Sequence, residues 1–396
     1  MDETSPVLPF DPHSAQMIAD PYPTYDALRL AGAVHHSPEL NLWVLARHSD
    51  VRAALHNWQV FSSTSGVELG EPLFGTGDPI VNDPPQHSVL RDLVGRHFHS
   101  RVVENLRPVV RSRCEQLLDS ISDRSDIDFV GQYAGRIPGT TMCSMLSFPS
   151  DDESWITAKV NEMMNRSLEA SDLFRAEAAK AALWYYVEEQ ISLGTRPANG
   201  RNVTPLLSQI CKARTDGLIL TDDAVGLCLS LLTAGTETTT ALITTILWRL
   251  VRGDITMPDL IPDGDVIAGR AIDEVLRFDS PIQWLTRTTT QEVDVSGEVV
   301  PAGSRVVLLF ASANRDSKAF QNPDVINVYR DQSRSLSFGG GIHFCLGRLL
   351  ARVETKEALG VFVRRYQVPQ LSDTPVRYPS SWLRSFSSLP IKIEAR

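Results

Sequence analysis

The chain reads as mainly α-helical with small β-sheets, and three observations predict that class. Helix-period patterning dominates from about residue 86 to about residue 280. Within it, residues 221 to 252 make one apolar segment, long enough for a single helix of about 32 residues and roughly 48 Å. Strand-type patterning is confined to short runs at 43–46, 292–300, 304–310 and 389–393.

Composition is that of an ordinary globular protein. The 396 residues are 42% hydrophobic and 22% charged, ample for a large core, and length alone suggests two or three domains. Net charge is −10, from 38 basic and 48 acidic side chains, which disfavours a nucleic-acid partner. The first residues, Met1 to Pro6, are polar and acidic, so neither a secretory signal nor a membrane anchor is expected. The five cysteines, Cys114, Cys143, Cys211, Cys228 and Cys345, show no paired spacing. That argues for a reducing, cytoplasmic setting and against a disulfide framework or zinc site.

The elements follow in order. Asp20-Pro21-Tyr22-Pro23 is a turn opening a short helix over 24–30. A strand at 43–46 precedes a helix over 49–55 with Ser49 as its expected cap. Residues 62–82, rich in glycine, read as a long loop, and long ordered loops are often functional. Asp83-Pro84-Pro85 opens a helix that sets His87 and Arg91 one turn apart on one face. Alone, such a pair is usually exposed polar surface.

In the long segment, Thr221-Asp222-Asp223 supplies a cap and first-turn acids. The apolar flanks 224–232 and 241–251 are interrupted by Thr233, Thr236, Glu237, Thr238, Thr239 and Thr240. No run of about 20 apolar residues survives, so a buried central helix is expected rather than a membrane span. Ala234 and Gly235 leave room for something flat to approach the backbone. Glu237 beside Thr238 sets an acid next to a hydroxyl, and a buried acid is costly unless paired or used. A solvated turn is the alternative, against which the apolar flanks speak. Further on, Glu274 and Arg277 form an i, i+3 pair, which by itself is an ordinary helix contact.

Near the C-terminus, Phe338-Gly339-Gly340-Gly341-Ile342-His343-Phe344-Cys345-Leu346-Gly347 runs into a helical pattern beginning at Arg348. A glycine-rich loop thus delivers one cysteine to a helix start. The positive end of the helix dipole and the free first-turn N–H groups favour a thiolate there. Thiolate is one known axial ligand of haem iron. A buried, inert cysteine in a tight turn is the other reading of an isolated Cys near glycines.

The ordered run Phe-Gly-x-Gly-x-His-x-Cys-x-Gly resembles the haem-binding loop of the cytochrome P-450 monooxygenases, and the resemblance recurs from Asp20 to Pro390. It implies an α-rich, triangular fold that is one domain over 1–396, with a β-containing N-terminal part at roughly 1–80 and a helical core at roughly 81–396. Haem b would lie between the central helix and the cysteine-loop helix, with Cys345 as axial thiolate and Phe338 packed beside it. The segment Ala234-Gly235-Thr236-Glu237-Thr238 resembles the family's oxygen-activating motif. By that resemblance Thr238 hydrogen-bonds dioxygen and Glu237 relays protons from solvent. His87, Arg91, Arg287 and His343 become the bases that hold the propionates. Glu274, Arg277 and Arg330 become a structural lock near the haem. The substrate pocket is expected from the 62–82 loop with Phe74, from Leu231, from Ile282 and Trp284, and from Phe386.

No strand–Gly-x-Gly-x-x-Gly–helix unit is visible, so electrons must come from another protein. A ferredoxin with an NAD(P)H-dependent reductase is the expected partner, docking on a face bordered by Arg96, Arg101, Arg348 and Arg352. Solvated helix faces with no partner are the alternative for these four. The expected reaction is RH + O₂ + 2e⁻ + 2H⁺ giving ROH and water, on a small to medium apolar organic substrate. A peroxide-driven peroxygenase and a haem gas sensor are the competing readings, and the Glu237–Thr238 pair argues against both.

Overall fold

The computed structural model describes residues 10–69, 73–164, 170–194, 203–262 and 267–396; the run Met1 to Pro6 lies outside them. The long apolar segment is one helix, Thr221–Val251, buried along most of its length. Its start differs from the sequence expectation. Leu220 is the capping position, and the Asp223 carboxylate accepts the Leu220 N–H at 3.0 Å, while Thr221 is already helical. The acid one turn in does the work assigned to Thr221 because its side chain reaches back to a free amide.

Several threonines are accommodated in this buried helix because their hydroxyls donate to the carbonyl four residues earlier. Thr236 donates to Leu232 at 2.7 Å, Thr240 to Thr236 at 2.9 Å and Thr244 to Thr240 at 2.8 Å. The helix Ile137–Met145 packs against the central helix where glycines permit it. A Cβ on Gly235 would lie 2.7 Å from the Met142 side chain, so the space at Gly235 serves this helix contact.

A second helix, Arg348–Arg365, runs from the cysteine loop between the central helix and the helix Ser100–Asp119. Its Glu357 accepts from Arg107 at 2.6 Å and Arg111 at 2.7 Å, which ties the two together.

The main sheet has five strands in the spatial order Val34–Ser37, Leu42–Leu45, Arg305–Leu308, Leu285–Thr289 and Phe61–Ser62. Leu42–Leu45 runs parallel to Arg305–Leu308, and the other neighbours are antiparallel. Strands from both ends of the sequence therefore meet, and Arg287 is brought beside the loop that follows Ser62. The next helix starts at His48, with Arg47 in the capping position, instead of being capped by Ser49. Asp316, remote in sequence, accepts the His48 N–H at 2.9 Å and takes over the capping role. Among the described residues no helix is long and apolar enough to cross a membrane.

The Glu274–Arg277 pair lies on the helix Gly269–Phe278 with both side chains fully buried. Arg277 makes a two-pronged contact with Glu274, at 2.8 Å from Nε and 2.8 Å from Nη2. Its Nη1 donates to Asn314 O at 2.8 Å and Pro323 O at 2.9 Å, and Nη2 reaches Val325 O at 3.5 Å. All five guanidinium donors are thus met. Glu274 also accepts from Arg330 at 3.2 Å, Gln332 at 2.6 Å and the Asn327 N–H at 2.8 Å. Burial pushes this carboxyl up, yet the Arg277 hydrogen bonds and the other donors hold it below the usual range.

Candidate active site

The cysteine loop is shaped by two glycines that no other residue could replace without strain. Gly339 and Gly341 have φ of 71° and 62°. A Cβ on Gly341 would also stand 2.1 Å from the Leu55 carbonyl oxygen, on the helix His48–His56. The loop closes where the Cys345 N–H donates to Phe338 O at 2.9 Å. Gly347 is the capping position of the helix Arg348–Arg365. Burial raises the Cys345 thiol pKa, while the Gly347 amide, then Arg91 and Arg348, pull it down. The sulfur therefore sits among groups that favour its anion but in surroundings that need a further cation to complete it.

Cys345 borders a cavity of about 330 Å³. One wall is the face of the central helix that carries Ser230, Leu231, Ala234, Gly235, Glu237 and Thr238. These positions recur at three- and four-residue spacing, as one helix face must. Thr238 Oγ1 donates to Ala234 O at 2.8 Å, which leaves its lone pairs to accept from a donor in the cavity. Glu237 is 8% exposed, and burial raises its pKa to about 7. Phe338, Phe74 and Ile282 line the same space.

Four bases gather at the cavity margin. Arg91, one turn after His87 on the helix Gln86–Gly95, donates to Phe344 O at 2.8 Å. His343 contacts the Ser63 hydroxyl at 3.1 Å, and its ring meets that of His87 edge-on with centroids 4.7 Å apart. Arg287 projects from the strand Leu285–Thr289, fully buried, with Nη1 on Thr286 O at 2.7 Å. Among the described residues no carboxylate forms an ion pair with it. Burial lowers its pKa to about 10 and the neighbouring Arg305 adds to this, against the pull of Asp83. Burial, then Arg287, His87 and Arg91, hold His343 far below the usual imidazole range. Both nitrogens of His87 are buried without a hydrogen bond of normal geometry. Buried cations and donors left without anions are costly. A flat, apolar macrocycle with two carboxylates and an iron needing one thiolate would meet each of these unmet demands, so the residues present fit a haem.

Two sequence expectations fail on the cavity wall. Trp284 is buried at 2% exposure in a different cluster, with Tyr25, Leu28 and Val44, and does not line the cavity. Its neighbours Leu285 and Arg287 do line it, and strand alternation turns Trp284 to the other side. Phe386 stands away from it too, packed against Trp248 at a centroid distance of 5.5 Å and under Arg377 at 3.8 Å. Trp382 lines the cavity instead. His87 reaches the site through His343 and does not itself line the cavity.

Two features escaped the sequence reading. Glu354 is buried on the cysteine-loop helix at the cavity wall, its Oε1 unpartnered, and burial raises its pKa to about 8 against the pull of Thr141. Gly347, Leu350, Ala351 and Glu354 all line the cavity, a helical spacing from which Glu354 was readable. Asp78 and Ser230 also meet at the wall, at 2.7 Å. Their pairing joins residues far apart in sequence and had no local signal.

Known proteins resemble this chain along its full length. The family model described as Cytochrome P-450 matches residues 268–395. A curated relative from Mycobacterium tuberculosis, cytochrome P-450 number 123, is 32% identical over 402 residues, covering 99% of this chain and 98% of the relative. The epothilone C/D epoxidase of Sorangium cellulosum is 31% identical over 406 residues, covering 98% of this chain and 96% of that protein. Among solved structures, CYP109E1 from Bacillus megaterium in complex with testosterone superposes with a TM-score of 0.85 at 27% identity, over 95% of this chain and 98% of that one.

Proposed function

The chain belongs to the cytochrome P-450 family of monooxygenases, and on that premise we propose that Cys345 is its axial haem ligand and that it oxidises a small to medium apolar organic molecule. The reaction is RH + O₂ + 2e⁻ + 2H⁺ giving ROH and water, by hydroxylation, epoxidation or O-dealkylation. One observation carries this reading: Cys345 and the Glu237–Thr238 pair border the same apolar cavity.

Bound haem supplies dioxygen binding and the electron transfer that cleaves the O–O bond. The chain's own residues supply position and protons. Arg91, Arg287 and His343, with His87 behind, would hold the cofactor carboxylates. Cys345 is kept anionic by the Gly347 amide and by Arg91 and Arg348 once a cation offsets its burial. Thr238 Oγ1 accepts a hydrogen bond from an O–H in the cavity, because its own proton is held by Ala234 O. Glu237 holds a proton near neutral pH and can pass it toward that point. The apolar walls exclude bulk water from the rest of the space.

Electrons come, in this reading, from a ferredoxin and its NAD(P)H-dependent reductase in the cytoplasm. Arg96 and Arg101 are exposed, and Arg348 lies over the Phe344 ring at 5.0 Å. Arg352 is already paired with Asp273 at 2.8 Å, which makes it the weakest of the four docking cations. The proton role is tested by Thr238→Ala. Cofactor oxidation should continue while product per NADH falls about tenfold and peroxide rises. A variant as tightly coupled as wild type would remove Thr238 from the proton path.

A further inference from the structure

The cavity wall carries charges of both signs, and they are segregated. Its cations, Arg91 and Arg287, cluster with the neutral His343 at the cysteine loop. Away from that cluster stands Asp78, at the junction of two short turns, Gly75–Gly77 and Pro79–Val81. This side chain is 8% exposed. Its Oδ1 accepts from Ser230 Oγ at 2.7 Å and from the Ile80 N–H at 3.1 Å. Among the described residues no donor reaches its Oδ2, and Asp78 lines the cavity. Burial raises the Asp78 pKa to about 6, and the neighbouring charge that acts on it is another acid, Glu68.

The carboxylate cannot easily turn away. A Cβ on Gly77 would lie 2.3 Å from Asp223 O, and one on Gly226 would lie 2.3 Å from Phe74 O, so the loop is seated backbone-to-backbone on the central helix. Thr76 Oγ1 donates to Asp223 at 2.7 Å, and Asn82 Nδ2 donates to Thr76 O at 2.9 Å and Asp78 O at 2.7 Å. A carboxylate fixed this firmly, with one oxygen free of donors and no cation beside it among the described residues, is left to be completed by a ligand.

We propose that Asp78 is the specificity-determining anchor of the substrate site, and that the substrate is an apolar molecule carrying a cationic amine which pairs with Asp78 Oδ2. The proposal rests on the monooxygenase reading, since it assigns a substrate class to that same cavity. Ser230 and Thr238 are eight residues apart on the central helix, about 12 Å along its axis and about 80° apart around it, and both line the cavity. The anchored nitrogen and the oxidised carbon are therefore separated by about that length. Carboxylate substrates are disfavoured because the cations of the wall are gathered at the cofactor end.

Three probes of one shape test this on the haem-loaded protein: 4′-methylbiphenyl bearing at C4 a trimethylammonium, a tert-butyl or a carboxylate group. The quaternary nitrogen cannot ligate iron, so the Soret shift reports occupancy alone, and calorimetry gives an independent Kd. The trimethylammonium probe should bind about tenfold or more tighter than its uncharged isostere, with the carboxylate weakest. Asp78→Asn keeps an acceptor for Ser230 and Ile80 but removes the charge, and should bring the cation-to-neutral ratio to within about twofold of one. Wild-type protein that binds the neutral or anionic probe as tightly as the cation overturns the proposal without any variant. So does a cation preference that survives Asp78→Asn. Either failure leaves the monooxygenase reading standing if the neutral probe shifts the Soret band; no response to any probe would sink both.

Discussion

The Glu274–Arg277 cluster and the wall of the cavity both bury charge, and they treat it in opposite ways. In the first, five guanidinium donors and both carboxylate oxygens find partners, and the carboxyl stays ionised despite zero exposure. In the second, Arg287 lacks an ion pair among the described residues, Glu354 keeps an unpartnered oxygen, and Glu237 and Glu354 are pushed toward their neutral forms. Satisfied buried charge is the mark of a structural lock. Unsatisfied buried charge in a cavity marks where something else must bind or react. A motif of two residues, acid and base at i, i+3, would look the same in either place; only the partner list separates them.

The contrast can be broken from the satisfied side first. Arg277→Ala leaves Glu274 ionised, buried and short of two donors, at a cost of about 3–5 kcal/mol. Chemical denaturation of the haem-loaded protein should show that loss, or no folded protein at all. A variant with near wild-type stability would mean that the cluster is not the lock described. A smaller effect is expected at Arg287. Arg287→Gln removes one charged hydrogen-bond donor to a cofactor carboxylate and should speed haem transfer to a scavenging apoprotein about tenfold. Folding should suffer little, because Arg287 has no ion pair to lose. Unchanged haem release would take Arg287 out of the cofactor cradle.

How much of this was legible in the chain depended on range. The central helix and the cysteine loop are local patterns and formed close to where their residues predicted; the strand runs shifted or shortened, 292–300 becoming two strands, Val293–Val295 and Glu298–Val300, and 304–310 only Arg305–Leu308 before a helical turn. The caps at Ser49 and Thr221 were misplaced because the acids that do the capping act from a remote segment, Asp316, or from one turn inside, Asp223. Trp284 was misassigned to the cavity although alternation carried the answer: once Arg287 faces inward, Leu285 shares its side and Trp284 does not. Gly235 was read as clearance for a cofactor, and its missing side chain also receives Met142. Asp78 and Ser230 could not be joined by any local rule, since 152 positions separate them.

The unsatisfied side gives the smallest and most diagnostic effect. Burial lifts the Glu237 pKa from 4.5 to about 7. Across that window the folded chain keeps a proton that the unfolded chain has lost, so stability falls as pH rises and levels off above the folded value. The decline is on the order of 3 kcal/mol. Glu237→Gln should therefore match wild type near pH 4.5 and exceed it at pH 8, read from denaturation midpoints at the two pH values. A pH-independent difference would mean that Glu237 is not held protonated by burial.

The most direct measurement concerns Cys345. Reduced, haem-loaded wild-type protein under carbon monoxide should show the strongly red-shifted Soret band of a thiolate ligand. Cys345→His should retain haem with the unshifted band of an imidazole ligand, and Cys345→Ala should lack the shifted band altogether. A shifted band that persists in both variants would contradict the assignment of Cys345 as the ligand.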